Sequence, residues 1–198
     1  MGWLTQDQIQ NMGFASVGNP VWLSDKASYY GTQNIRIGSH VRIDDFCVLS
    51  AGQGGIDIGH YVHIAVYTSL IGAAPITLGN FVSISSKVAI YSSSDDYSGK
   101  AMTNPMVPTT FTQVNHAPVV LEKHVILGSG TVVLPGVTLK TGASVGALSL
   151  VTQNCKEFVS YLGSPARPVG HREQTLLDLE QQFLDSLPHH EKTSLFSL

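Results

Sequence analysis

Few residues of this chain are equipped for acid–base chemistry near neutral pH. Among its eight histidines, His63 falls at an outward-facing position between the apolar residues Val62 and Ile64. Two adjacent carboxylates, Asp95 and Asp96, lie in SSSDDYSGK, and a second pair, Asp44 and Asp45, interrupts the apolar run VRIDDFCV. An imidazole beside a carboxylate is a workable acid/base pair, because the carboxylate fixes the tautomer and raises the basicity of the ring. The same carboxylates can instead grip an ammonium group or hydroxyls of a bound substrate. Asp96 also has the type and setting of a turn cap, and Arg42 is placed to neutralise Asp44 and Asp45. His116 closes the same polar stretch as Asp95, either exposed or reaching a groove.

These residues need a frame, and the chain announces it as a six-residue beat. Large residues recur at Val17, Leu23, Tyr29; Ile37, Ile43, Leu49; Ile58, Ile64, Leu70; Leu78, Ile84, Ile90; Leu121, Leu127, Val133; and Leu139, Val145, Val151. A period of six with three beats per turn is that of a β-helix, whose coils are too thin to bury an apolar face alone and must stack. The fifth place of each hexad is small (Val41, Cys47, Val62, Thr68, Val82 and their equivalents), which suits a narrow core. Cys47 and Cys155 both sit on inward beats and read as core thiols. Small residues after the beat, such as Gly38 and Gly59, are expected to ease the turn at each corner. Extra residues at 51–57 and 72–77 are expected to loop outward. His60 and His124 fall at corners, where polarity is ordinary.

The ends depart from the beat. Thr5 and Gln8 form a capping box for a short helix closed by Gly13, a lid for the first coil. Leu176, Leu177, Leu179, Phe183, Leu184 and Leu187 recur at helical spacing before Pro188, giving one amphipathic helix that packs on the coils or on another subunit. The sequence therefore divides into an N-terminal helical cap at 1–16, a β-helix at 17–168, and a C-terminal helix and tail at 169–198. Residues 92–118 leave the beat in a stretch far longer than the usual loop of about 4–6 residues. A connection of that length is expected to wall a binding site.

The beat, the excursion after the third regular coil, the return through VILGSGTVVLPGVTL and VGALSLVT, and the exit GSPARPVGHR resemble the left-handed β-helix acyltransferases over residues 35–172. The resemblance implies an all-β, left-handed parallel β-helix, an exception to right-handed crossovers. It also implies acetyl-CoA as acyl donor, and a homotrimer with its active site in the groove between subunits. VRIDDFCVLS, YVHIAVYTSLIG and SSSDDYSGKAMTNPMVP are most similar to a bacterial branch serving surface polysaccharides. That branch holds enzymes acylating dTDP-4-amino-4,6-dideoxyglucose and sequences labelled galactoside O-acetyltransferase.

Carried over by motif, Asp95 stands where the galactoside and maltose enzymes have their general-base histidine. A carboxylate with an ordinary pKa near 3.9 is a poor base for a sugar hydroxyl. A neutral amine needs no such help to be a nucleophile, so the departure favours N-acylation of a nucleotide-linked amino sugar. His63 with Asp95 would accept the proton and a backbone N–H would steady the oxyanion. Asp96, Asp44 and His116 are the candidate sugar-binding residues. Ser129, Ala147 and Thr152 would face the pantetheine arm, with Arg167 on phosphate. The family often has Lys where this chain has Gln153, which leaves Arg172 as a second phosphate candidate. The alternatives are O-acetylation of a glycan hydroxyl, and a non-catalytic β-helix that has lost its base.

A net charge of −3 with 43% hydrophobic residues offers no basic field for nucleic acid, and no Lys/Arg run fits a membrane surface. The start lacks a basic stretch followed by an apolar one, and no run of about 18 apolar residues exists, so a cytoplasmic location is expected. His60, His63, His116 and His124 do not reproduce the separations of the zinc site in γ-class carbonic anhydrases, and no metal is expected. Nothing resembles a Walker loop or dinucleotide fingerprint.

Overall fold

One large aliphatic residue per hexad fills a coil only if the next coil supplies the opposing wall, so pairing register decides whether the beat becomes a core. The computed structural model describes residues 2–188, and its register matches the beat. Three parallel faces run the length of the molecule. On face 1, Val17, Ile37, Ile58, Leu78, Leu121 and Leu139 pair in succession. On face 2 the column is Leu23, Ile43, Ile64, Ile84, Leu127, Val145 and finally Tyr161. On face 3 it is Tyr29, Leu49, Leu70, Ile90, Val133 and Val151. From Ile37 to Val151 every one of these beat residues is at most 3% exposed, each stabilising the fold by roughly 1.5–3 kcal/mol.

Cys47 and Cys155 are buried and unbridged, and burial pushes both thiols up to about 11. They are filling, as their inward beats imply.

The corners differ from expectation in an instructive way. The residue that turns the backbone is not the small one after the beat but the one two places later. His40, Tyr61, Phe81 and His124 hold φ near +60° where face 1 meets face 2, and Phe46, Tyr67 and Lys87 do so where face 2 meets face 3. A left-handed conformation costs a side-chain-bearing residue about 1–2 kcal/mol. Stacking offsets it: the ring centroids of His40 and Tyr61 are 4.4 Å apart, of Tyr61 and Phe81 5.3 Å, and of Phe81 and His124 4.9 Å. Gly38 is small for another reason, since a Cβ there would lie 2.5 Å from the carbonyl oxygen of Gly59 in the next coil. The extra residues at 51–57 and 72–77 do not loop away. Gly52 and Gly54 donate to Gly72 and Ala73, so the third corner also stacks.

The ends are tied to this frame. The helix α1 (Gln6–Asn11) carries the Thr5/Gln8 capping box and buries Ile9 against the first coil. The strand Arg167–His171 turns back antiparallel on Val159–Leu162, so face 2 runs through residue 168, where the sequence suggested a boundary. The helix α2 (Thr175–Ser186) packs along the corner of faces 1 and 2. Phe183 meets Tyr61 and Phe81 edge-on, at 5.1 and 6.3 Å, and Glu180 accepts from His124 at 2.7 Å and Lys123 at 3.1 Å. The tail at 189–198 lies outside the described residues. No described helix is long and apolar enough to cross a membrane.

The excursion leaves face 3 after Tyr91 and is clamped at its root by antiparallel pairing of Ser93–Ser94 with Asn115–His116. The chain re-enters at Val119–Leu121 directly on Ile76–Leu78, so 92–118 is a true insertion in an unbroken stack.

Candidate active site

Face 3 has two long edges, and the chemistry-bearing residues divide between them. Along its edge with face 2, successive backbone bonds build one column: Asp44 to Ile64, Ala65 to Ile84, Ser85 to Leu127, Gly128 to Val145, Gly146 to Tyr161. Coils at the usual strand spacing of about 4.8 Å then put Asp44 and Gly146 each about 10 Å from Ser85, on opposite sides. Ser129 and Ala147 are the next residues along and are exposed. The C-terminal half of this edge is thus lined by uncharged residues, small at Gly128, Ser129, Gly146 and Ala147 and bordered by the exposed Leu148, and is open to a ligand that reads backbone. Its N-terminal half carries Lys26, Arg42, Asp44, Asp45, His63 and Lys87.

Asp44 is the hub of that half. It is 7% exposed, and its two carboxylate oxygens accept from Arg42 Nε at 2.7 Å and His63 Nε2 at 2.9 Å. Because a carboxylate only accepts, His63 carries its proton on Nε2. The guanidinium of Arg42 in turn lies 5.5 Å from the Trp3 ring. Asp45 is held by Ser24 Oγ and by Lys26 at 3.4 Å; its hydroxyl bond, then Lys26, hold its carboxyl below the usual carboxylate range despite the opposing effect of burial.

The other edge of face 3, toward face 1, carries the excursion. Asp95 is exposed there, lining a hollow of about 250 Å³ with Tyr97, Gln113 and Asn115, and its carboxylate has no partner among the described residues. Asp96 is committed to the loop: its oxygens accept from the backbone N–H of Ser98 at 2.9 Å and Ala101 at 3.0 Å, and the bonds from Ser98 first, then Ala101, hold it at about 2. His116 Nδ1 meets Ser93 Oγ at 2.8 Å, clamping the excursion's root. Thr152 and Arg167 share a second hollow on this edge, of about 260 Å³.

Within one chain, therefore, His63 and Asp95 do not form a pair. The excursion springs from the end of face 3 whereas His63 lies on face 2, so face 3 separates them. The partner of His63 is Asp44, one coil away. Asp44 itself presents no free oxygen, and the same division parts Ser129 and Ala147 from Thr152 and Arg167. Arg172 donates through Nη1 to the carbonyls of His124 at 3.1 Å and Gly142 at 2.8 Å, which places it on the coils at the corner of faces 1 and 2. Ser85 was missed. The available signal was its place directly after the beat residue Ile84, in the same column as Asp44. Among the described residues no three His, Cys, Asp or Glu side chains converge as metal ligands. His60 is a buried corner residue whose Nδ1 accepts from Ser39 N–H, and burial, then His40, lower its pKa and keep it neutral.

No family model matches the chain. It is 52% identical over 186 residues to a dTDP-4-amino-4,6-dideoxy-D-glucose acyltransferase of Escherichia coli, spanning 94% of this chain and 97% of the relative. It also superposes on crystal structures of AntD, an N-acyltransferase from Bacillus cereus. One, in complex with dTDP-4-amino-4,6-dideoxyglucose and coenzyme A, has TM-score 0.91 and 38% identity over 94% of this chain and 99% of that one. Another, with dTDP and 3-hydroxybutyryl-CoA, has TM-score 0.89 and 39% identity over 93% of this chain and 97% of that one. Companion AntD structures carry substitutions of one aspartate or of one serine ten positions before it.

Proposed function

The chain belongs to the dTDP-4-amino-4,6-dideoxy-D-glucose acyltransferase family, and on that premise we propose that it N-acetylates the 4-amino group of this nucleotide sugar, a precursor of bacterial surface polysaccharide. The protein is a left-handed β-helix acyltransferase that uses a coenzyme A thioester. The donor is acetyl-CoA and the working unit a homotrimer in the cytoplasm.

The observation that carries the reading is one of height. Ser85 and Asp95 both belong to the coil of Leu78, Ile84 and Ile90, yet they occupy opposite edges of face 3. They are ten residues apart in sequence, the same separation as the serine and aspartate substituted in AntD. Three copies around an axis parallel to the stack bring one copy's Ser85 edge against a neighbour's Asp95 edge at the same height. The outward positions of face 3 suit such contact, being the half-buried Ser28, Val48, Ser69, Ala89, Val132 and Leu150.

In that groove the neutral amine attacks the thioester carbonyl, and a backbone N–H of the edge steadies the oxyanion. The C–N bond forms and the adduct's nitrogen becomes acidic enough for the Asp95 carboxylate to take its proton. Collapse breaks the C–S bond, and the thiolate leaves and is protonated to free coenzyme A. Ser85 orients the amine. The arm of the donor follows Ser129 and Ala147 of one copy, with Thr152 and Arg167 of the neighbour closing its outer end. Thiol release from acetyl-CoA in the presence of dTDP-4-amino-4,6-dideoxyglucose tests the reading. Turnover with acetyl-CoA faster than with 3-hydroxybutyryl-CoA supports it; no turnover with either donor contradicts it.

A further inference from the structure

We infer that His63, with its tautomer fixed by Asp44, is a specificity-determining residue that accepts a hydrogen bond from the sugar hydroxyl next to the reacting amine. The inference rests on the nucleotide amino-sugar reading above and adds to it the means by which one sugar is chosen. Two facts carry it. The first is position: His63 pairs with Ser83 on the adjoining coil, two residues before Ser85, and only the small side chain of Ala65 separates Asp44 from Ser85 in their column. One coil step of about 4.8 Å and two strand residues of about 3.3 Å each put the backbone of His63 about 8 Å from that of Ser85, on the same edge. An amine on carbon 4 and a hydroxyl on carbon 3 lie about 3 Å apart, and with a hydrogen bond of about 2.8 Å at each end they bridge groups up to about 8 Å apart.

The second is chemistry. The Nε2–H of His63 is spent on Asp44 at 2.9 Å, and Arg42 at 2.7 Å holds Asp44 from its other oxygen. In its neutral form the half-exposed ring then presents Nδ1 as an acceptor, and that atom has no partner among the described residues. A fixed acceptor beside the amine site is complementary to a hydroxyl donor and offers nothing to a carbon that lacks one. Such a site rejects the analogue without the hydroxyl, because the analogue cannot replace the hydrogen bond that solvent made to Nδ1. His63 is in this account a binding residue and Asp44 a positioning residue, and neither takes the amine's proton.

The test compares dTDP-4-amino-4,6-dideoxyglucose with its 3-deoxy analogue, using wild type, His63→Ala and Asp44→Asn in steady-state kinetics. Wild type should lose about tenfold or more in kcat/KM when the 3-hydroxyl is removed. His63→Ala should lose a similar factor on the parent sugar, lose no more on the 3-deoxy analogue, and keep its KM for acetyl-CoA. Asp44→Asn should follow His63→Ala and add nothing to it in the double variant. Equal losses on both sugars, or no loss on either, overturn the inference. Failure of wild type to acylate either sugar instead overturns the functional reading, and a circular dichroism melt of each variant separates misfolding from both.

Discussion

Asp95 has a carboxylate without a partner among the described residues at the foot of the excursion, whereas both oxygens of Asp96 beside it accept from backbone N–H groups. The two acids are adjacent in sequence and opposite in use. Replacing Asp95 by Asn should therefore cut kcat/KM about 100-fold or more, the ordinary worth of a positioned general base, with the melting temperature unchanged. Asp96→Asn should act through the loop, making residues 92–118 more susceptible to limited proteolysis. The motif around Asp95 made it legible in the sequence, but the intrachain partner of His63 is Asp44 rather than Asp95. Neighbours across coils lie about 20 residues apart, so Asp44, 19 positions before His63, has no local mark as its partner.

At the scale of elements, almost the whole stack was legible, because a beat of six is also the pairing register. What stayed hidden were features made by contact between coils. Gly38 reads as a turn residue in one dimension but is a close-approach residue in three. Gly38→Ala should lower stability by about 1–3 kcal/mol, since backbone rather than a flexible side chain meets the new methyl; chemical denaturation would measure it. Glu180 is likewise unmarked among the polar residues of α2, yet it fastens the helix to the coils. Burial alone would raise its pKa, but the His124 bond first, and then Lys123, bring it below the ordinary glutamate value of 4.5. A depressed carboxylate stabilises above its unfolded pKa and loses that stabilisation as pH falls through the folded one. Docking of α2 should accordingly weaken below about pH 4.5, seen as faster amide exchange at Phe183 and Leu184. Unchanged protection down to the acid transition of the coils would contradict this. Glu180→Gln should abolish the pH dependence while leaving acyl transfer intact, because α2 lies on the corner of faces 1 and 2, away from face 3.

For the whole molecule, the division of candidate residues between two edges of one face has a direct consequence. On the proposed reading, a single chain holds both halves of a site and completes neither. His63 and Asp95 accordingly stand apart within the chain, although the motifs around them pointed to acyl transfer. In the proposed trimer it is the assembly, rather than the fold, that brings Ser85 opposite Asp95. Ser85→Ala and Asp95→Asn should each lower activity strongly as pure proteins. In mixed trimers, an interface that joins the Ser85 edge of an Asp95→Asn chain to the Asp95 edge of a Ser85→Ala chain carries both native groups. Co-expressing the two variants and assaying thiol release from acetyl-CoA with dTDP-4-amino-4,6-dideoxyglucose is the most direct test. Random association should restore about a quarter of the wild-type activity, one interface in four being fully native. Activity no greater than the average of the two variants alone would contradict an active site shared between subunits.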